Sequence, residues 1–148
     1  GVGLQALGER LRAMGREGAG PWLDELLGAL DAFDLSEGVS YRASLYGDHH
    51  FFLLAGVPVL MPISRVENDA ARHHHTAADT YDKVTFLQLS LDAAFVASVA
   101  LELASTKEPV MKRLDSEEMK AFIDRHKLKG AIEVWGGWDY ETGWFEAR

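Results

Sequence analysis

The spacing of apolar residues changes along the chain and predicts where helices and strands lie. The first apolar residues recur at helical intervals: Leu4, Leu7, Leu11 and Met14. This spacing predicts an amphipathic helix that ends near residues 18–20. Pro21 then suits the first turn of a second helix. Its apolar face would contain Trp22, Leu23, Leu26, Leu27, Leu30 and Phe33. We expect both helices to pack against a core.

Strand-like patterns follow these two helices. Residues 39–45 alternate apolar and polar side chains, which predicts a strand. Residues 51–54 suit a short helical turn closed by Gly56. Residues 57–61 form a continuous apolar run, which predicts a buried strand with Pro58 at its start or on an edge.

A polar loop at 64–83 is followed by a strongly helical pattern at 85–104. This helix is apolar around much of its circumference, so we expect it to be well buried. Strands and helices in this order are typical of an α/β fold. We therefore expect residues 1–104 to form one unit of the chain.

The composition changes after Ser105, so residues 105–148 are predicted to be a helical and aromatic-rich extension. Asp115 or Ser116 can cap a helix that runs to about Leu128 and ends at Gly130. A short strand is expected at 131–135. The tryptophan-rich end is interpreted either as a hydrophobic flap over the body or as a binding surface.

Composition and charge exclude several classes of protein. The chain has 148 residues, no cysteine and a net charge of −8. The negative charge argues against a nucleic-acid partner. No uninterrupted apolar run approaches the roughly 18–20 residues that span a bilayer, so no membrane partner is expected. The absence of cysteine excludes disulfides and thiolate metal sites but leaves the compartment open.

Candidate chemistry is concentrated at residues 72–84, where three adjacent histidines precede two aspartates. Neutral imidazole is a good zinc ligand. Neighbouring side chains of an extended segment point to opposite faces, so one or two of the three can converge on an ion. The alternative is a solvated polar loop. A second stretch, 47–52, carries Asp48 and His49 and is a candidate for the same site.

Two motifs in order resemble a known family. The first is Asp48-His49-x-x-Phe52-Leu53-x-Ala55-Gly56-Val57-Pro58. The second is His74-His75-Thr76-x-x-Asp79-Thr80-x-Asp82-Lys83-Val84, and a long alanine-rich helix follows it. Together they resemble the C-terminal half of the M28 family of zinc aminopeptidases, in its carboxypeptidase Q-like branch. The resemblance covers about residues 20–104.

The resemblance implies a phosphorylase/hydrolase-like three-layer α/β sheet with flanking helices, of which this chain would hold a part. It implies two zinc ions, with His75 as a metal ligand. It places Asp48, His49, His74 and Asp79 in the substrate pocket or around the ligands. His74 stands where the family usually has Tyr. Gly47 stands where the family has Ser, so a hydrogen bond from that hydroxyl is absent.

The family's other ligands and its general base do not match residues of this chain. There is no His-x-Asp motif, and the one Glu-Glu pair, Glu117-Glu118, follows the histidines instead of preceding them. That pair is expected in the first turn of a helix, where the helix dipole favours acidic residues. We therefore expect no catalytic residue in this chain and no peptide hydrolysis by the chain alone.

The resulting hypothesis is the C-terminal portion of a dizinc exopeptidase that acts on peptides. Its expected partners are a peptide substrate and either the upstream half of the same protein or another copy of the chain, because an isolated half would expose apolar sheet edges. A secreted or periplasmic parent is one of the open alternatives for its location. Two other functions stay open: a non-catalytic binding or interaction module of the same fold, and a glutaminyl-cyclase-like acyltransferase.

Overall fold

The computed structural model describes residues 10–16, 20–30, 33, 38–63, 70–108, 110–135, 138–139 and 144–145. The fold is mixed α/β, with a small three-stranded sheet and several helices. The strands are β1 (Arg10–Met14), β2 (Val39–Ser40), β3 (Val59–Ile63), β4 (Trp138–Asp139) and β5 (Trp144–Phe145). The helices are α1 (Gly20–Ala29), α2 (His49–Leu54), α3 (Ala70–His73), α4 (Phe86–Ser105), α5 (Ser116–Arg125) and α6 (Lys129–Trp135).

The main sheet has the strand order β2-β1-β3 and contains both strand orientations. β1 runs parallel to β2, with Leu11 opposite Val39. It runs antiparallel to β3, with Met14 opposite Val59. β3 lies at an edge and Pro58 immediately precedes it, as expected. β3 is half-buried and not fully buried. β4 and β5 form a separate antiparallel pair.

The predicted N-terminal helix is wrong at its described end. Residues 10–14 form β1, the central strand of the main sheet, while residues 1–9 lie outside the described part. Leu11 and Ala13 are buried on one side of this strand. Pairing with β2 and β3 satisfies the backbone and buries these side chains, which outweighs the helical spacing of the leucines. The second helix is confirmed as α1, with Leu23 and Leu26 buried.

A separate apolar core lies on each face of the sheet. Leu11, Ala13 and Leu60 belong to one core, together with side chains of α1 and α4. Met14, Val59 and Met61 contact the other core, which contains side chains of α2, α5 and α6. Successive residues of a strand point to opposite faces. Helices therefore cover both faces, and α5 and α6 share a core with the first 104 residues.

Helix α4 is confirmed in position but not in burial. The sequence predicts a well-buried helix, whereas Phe95 and Val99 are the two side chains of α4 that are buried. Phe86 is 80% exposed and Leu101 is 66% exposed. α4 packs on the sheet through one face, and the rest of its apolar surface meets solvent.

By length and composition α4 could also cross a membrane. Within the described part of the chain, it is the one helix that meets both criteria, with a mean hydropathy of 1.6. No uninterrupted apolar run in the sequence is long enough to span a bilayer, but helix α4, with its few polar residues included, is long enough. The same test is passed by core helices of soluble proteins, and Phe95 and Val99 place α4 against the sheet.

The remaining segments follow the sequence in part. Regular pairing at 39–45 is limited to β2. α2 forms as predicted, and Gly56 adopts a left-handed φ of 83°. The predicted stop at Gly130 and strand at 131–135 are both wrong, since these residues lie in α6. Lys127 takes the left-handed conformation, with φ 56°, between α5 and α6.

Candidate functional site

The histidine-rich segment folds into a turn that its own hydrogen bonds hold together. Helix α3 ends at His73, whose carbonyl accepts from the backbone N–H of Thr76 at 3.0 Å and from its hydroxyl at 2.7 Å. Thr76 Oγ1 then accepts from the N–H of Ala78 at 3.2 Å. The N–H of Asp79 donates to the carbonyl of Thr76 at 3.1 Å. Thr76 therefore fixes the chain on both sides of itself.

His75 occupies a backbone conformation that side chains other than glycine rarely adopt. Its φ is 59°, in the left-handed region. Residues held there against their preference often occur at functional sites. The position directly precedes Thr76, so the hydrogen bonds of that residue hold the conformation. The imidazole is exposed.

The three imidazoles of this turn differ in their surroundings. The rings of His74 and His75 lie side by side, with centroids 3.8 Å apart and planes at 45°. Both are exposed, whereas His73 is half-buried. Two neighbouring exposed rings can present nitrogen lone pairs to the same bound group.

Asp48 and His49 begin α2 in a second turn. Asp48 is exposed at the N-cap position, and its side chain makes no cap hydrogen bond. His49 Nε2 lies 2.8 Å from the carbonyl of Ser44, so this nitrogen carries the proton and donates it. Its Nδ1 is buried and has no hydrogen-bond partner. Nδ1 of His49 therefore carries a lone pair that accepts no hydrogen bond.

Gly47, which stands where the resembled family has Ser, has a structural reason to be glycine. Its φ is 124°, which disfavours any side chain. A Cβ at this position would lie 3.1 Å from Nδ1 of His49. The carbonyl of Gly47 also lies 2.8 Å from Nδ1 of His50. Glycine thus permits the turn that orients both histidines.

His50 is a residue that the sequence reasoning missed. It is 7% exposed and is the buried polar side chain in the described core. Its Nδ1–H donates to the carbonyl of Gly47, and its ring contacts that of Phe51 at 3.8 Å. The direct adjacency of His49 and His50 was the available signal. The contacts indicate that His50 fixes the start of α2.

Two acidic side chains follow the histidines. Asp79 is exposed, and the turn holds it through its backbone. Asp82 accepts hydrogen bonds from Lys83 and from the hydroxyl of Thr80. The Lys83 bond, followed by that of Thr80, lowers the pKa of Asp82 to about 2. The sequence pattern predicted no role for Asp82, and both of its contacts lie within the short segment 80–83 before α4.

The described residues do not complete a zinc site. Within them, no group of three or more His, Asp or Glu side chains is close enough to hold an ion. Zinc in proteins takes three or four such ligands. The structure brings His74 and His75 together, and it places Asp48 and His49 in a different turn. His75 stays a predicted ligand, and further ligands would have to come from outside the described residues.

The Glu117-Glu118 pair is occupied in forming a helix start. Glu118 and Asp115 form a capping box: each accepts a hydrogen bond from the other's backbone N–H. Glu118 also binds Arg16. Glu117 pairs with Lys120 at 3.2 Å. These contacts account for both glutamates without a catalytic role.

A groove of about 600 Å³ lies on a different part of the surface. Its walls come from β3, from one side of α4 and from the segment after α4. None of the predicted site residues lines it. The walls are mostly aliphatic, with Lys107 and Glu108 at one end. The groove can accept an apolar partner but offers no His or Asp for chemistry.

Comparisons with models of known families, with curated proteins and with solved structures found no match for this chain.

Proposed function

We propose that this chain supplies the C-terminal corner of a dizinc aminopeptidase site, with His75 as a zinc ligand. The observation that carries the proposal is the left-handed backbone of His75 in a turn fixed by Thr76. A metal ligand must be held in one direction before the metal arrives, and second contacts around it usually do this. The order of the Asp48-His49 and His75-Thr76 motifs supports the same reading.

The fold proposed with this function is part of a phosphorylase/hydrolase-like three-layer sheet. Two features support it. Helices lie on both faces of the sheet, and β3 is left at an edge. In such a protein the remaining ligands and the general base would come from polypeptide outside this chain. The residues described here would hold one ligand and part of a pocket wall.

The two turns would serve different purposes in the complete site. His75 would bind the metal through a ring nitrogen. His74, beside it at 3.8 Å, would line the substrate pocket. Asp48 and His49 would form an adjacent wall, in which the hydrogen bond from Nε2 of His49 to the carbonyl of Ser44 fixes the imidazole. Asp79 would fix the loop and would not bind the metal.

The test is made in a protein that joins this chain to an upstream half carrying the missing ligands. We expect this protein to bind two zinc ions and to release N-terminal residues from peptides. His75→Ala should abolish activity and lower the zinc content. His73→Ala is the matched control, since it removes a neighbouring imidazole and should keep both. Full activity and normal zinc content in His75→Ala would exclude the assignment.

A second candidate, a non-catalytic interaction module, is favoured by one observation. The described residues hold no group of three metal-binding side chains, while α4 exposes a long apolar surface. Zinc titration of the upstream-joined protein separates the two functions. Tight binding of two ions supports the peptidase, and weak binding that is unchanged by His75→Ala supports the module.

A further inference from the structure

On most surface helices the charged residues lie on the solvent side and the apolar residues on the core side. On helix α4 the charged residues lie on the core side, and the solvent side is apolar. Its two charged residues are Asp92 and Glu102. At 100° per residue, both lie on the same side of the helix as the buried Phe95 and Val99. Asp92 is half-buried there and accepts from the side chain of Gln88 at 3.0 Å. The opposite face, which meets solvent, carries no charge.

The outer face of α4 is large enough for a stable interface. Its large exposed side chains are Phe86, Leu87, Leu89, Val96, Leu101 and Leu103, which are 38–80% exposed. Together they present on the order of 600 Å² of apolar surface, so two copies would bury about 1,200 Å² in total, the lower end of the range for standard interfaces. Exposed alanines lie between them. This is the upper end of the size of the largest apolar patch on a monomeric protein, and such patches are often functional.

The groove described above continues this surface without a break. Val96 and Leu103 belong to both, since each is exposed on α4 and lines the groove. The far wall of the groove is formed by Leu60 and Pro62 of the edge strand β3. An apolar ridge about 30 Å long, at 1.5 Å per residue, therefore stands beside an apolar groove.

We propose that two copies of this chain associate through α4, with the ridge of each copy seated in the groove of the other. A ridge and a groove side by side on one surface are self-complementary under a two-fold axis, which is the requirement for an isologous dimer. The pair would bury both apolar surfaces together. The uncharged outer face allows this in a chain with a net charge of −8, because no like charges meet at its centre.

A lipid surface and the upstream half of the proposed peptidase are other occupants that the apolar face could meet. Two observations favour a second copy over lipid. α4 contains no Lys or Arg to attract anionic headgroups, and the chain is strongly negative. A flat lipid surface would also leave the groove unfilled, whereas the ridge of a second copy fills it. The dimer does not depend on zinc binding by His75, so it stands or falls separately from the proposed function.

Sedimentation velocity of the full chain over roughly 1–100 µM tests the proposal. We expect a dimer whose dissociation constant rises at least about a hundredfold in Ala97→Glu, because the new carboxylate would be buried unpaired at the centre of the interface. Ala121→Glu is the matched control: the same change at an exposed position of α5, away from α4. It should leave the dimer intact. A monomer at every concentration, or a dimer unaffected by Ala97→Glu, would overturn the proposal.

Cross-linking gives a second measurement that does not weaken the interface. The chain has no cysteine, so a single introduced thiol is unique. Ala97→Cys should be joined efficiently between copies by a short bis-maleimide, and Ala121→Cys should not. Equal cross-linking of the two variants would contradict the arrangement. Flotation of a monomeric chain with phosphatidylcholine vesicles would assign the face to lipid and also overturn the dimer.

Discussion

Arg16 and Glu118 lie 102 residues apart in the sequence and form an ion pair with Nη2 and Oε2 2.5 Å apart. Arg16 also donates from Nε to the carbonyl of Lys112 at 2.7 Å and from Nη2 to that of Arg113 at 3.2 Å. One guanidinium thus joins the residues after β1 to the segment that leads into α5. The pair therefore connects the aromatic-rich extension to the sheet.

The start of α5 should be a measurable source of stability. Asp115→Ala removes the side chain that accepts from the N–H of Glu118 at 2.9 Å. We expect a loss of about 1 kcal/mol in the free energy of unfolding, the usual cost of losing an N-cap. Urea denaturation followed by circular dichroism measures it. Glu117→Gln is the control, because Glu117 lies outside the capping box, and an equal loss there would contradict the assignment.

Acid should weaken the same helix start through Glu118. The backbone N–H of Asp115, followed by the Arg16 side chain, lowers the pKa of Glu118. A carboxylate with a depressed folded pKa stabilises the fold above its unfolded pKa, and the contribution is lost as the pH falls through the folded value. Arg16→Gln should therefore reduce the loss of thermal stability between about pH 6 and about pH 3. An unchanged pH profile would contradict this.

Asp82 should titrate far below an ordinary aspartate. Its pKa of about 2 has the Lys83 hydrogen bond as its largest cause and that of Thr80 as its second. NMR titration of the side-chain carboxyl carbon should give a midpoint near that value. Lys83→Gln should raise the midpoint more than Thr80→Val does. Thr85→Val, which removes a hydroxyl that does not contact Asp82, should leave it unchanged, and a normal midpoint in the parent chain would contradict the loop geometry.

Gly56 should tolerate no side chain. Its φ is 83°, and a Cβ would lie 2.3 Å from the carbonyl oxygen of Leu114, which is backbone and cannot turn away. Gly56→Ala should cost at least about 2–3 kcal/mol of unfolding free energy. Gly28→Ala in α1 is the matched control, since nothing lies within 4 Å of its Cβ. It should instead stabilise the helix by about 0.5–1 kcal/mol.

Replacing Gly47 with the Ser of the resembled family tests the second turn. The change imposes a side chain at φ 124° and brings its Cβ within 3.1 Å of His49 Nδ1. Gly47→Ser should destabilise the chain by about 1–2 kcal/mol and shift the imidazole signals of His49 in NMR spectra. A stable variant with unchanged His49 signals would show that the turn does not need glycine.

The sequence predicted the helices that carry strong local signals. α1 follows from Pro21 and its apolar face, and α5 follows from the Asp115 cap. The five residues of β1 could not be predicted in this way. Their pairing with β2 and β3 joins segments more than twenty residues apart, and helical spacing across Leu7 and Leu11 conceals the alternation. Distant pairing decided the local structure.

The direction in which α4 faces could not be predicted for a different reason. A helix that is apolar all round gives no preference for one face, and its charges, Asp92 and Glu102, would have placed the core on the wrong side. Similarly, Gly130 carried the usual stop signal, whereas Lys127 takes the left-handed turn. In the candidate site, the turn around Thr76 follows from its residues, but the burial of His50 depends on tertiary packing.

Two truncations in α4 test which side of the helix faces the sheet. Phe95 is 2% exposed and meets the edge of the Phe33 ring with centroids 5.4 Å apart. Phe95→Ala should cost about 3–5 kcal/mol of unfolding free energy at any chain concentration. Leu101 is 66% exposed. Leu101→Ala should therefore lower the unfolding free energy of dilute, monomeric protein by less than about 0.5 kcal/mol.

The concentration dependence of the second truncation separates packing from association. If α4 joins two copies, Leu101 becomes buried in the dimer, so the cost of Leu101→Ala should grow as the chain concentration rises. The cost of Phe95→Ala should stay constant, since its contacts lie within one chain. Urea unfolding at two concentrations a hundredfold apart, about 1 and 100 µM, measures both. A large, constant cost at Leu101 would mean that the outer face of α4 is covered within the chain itself.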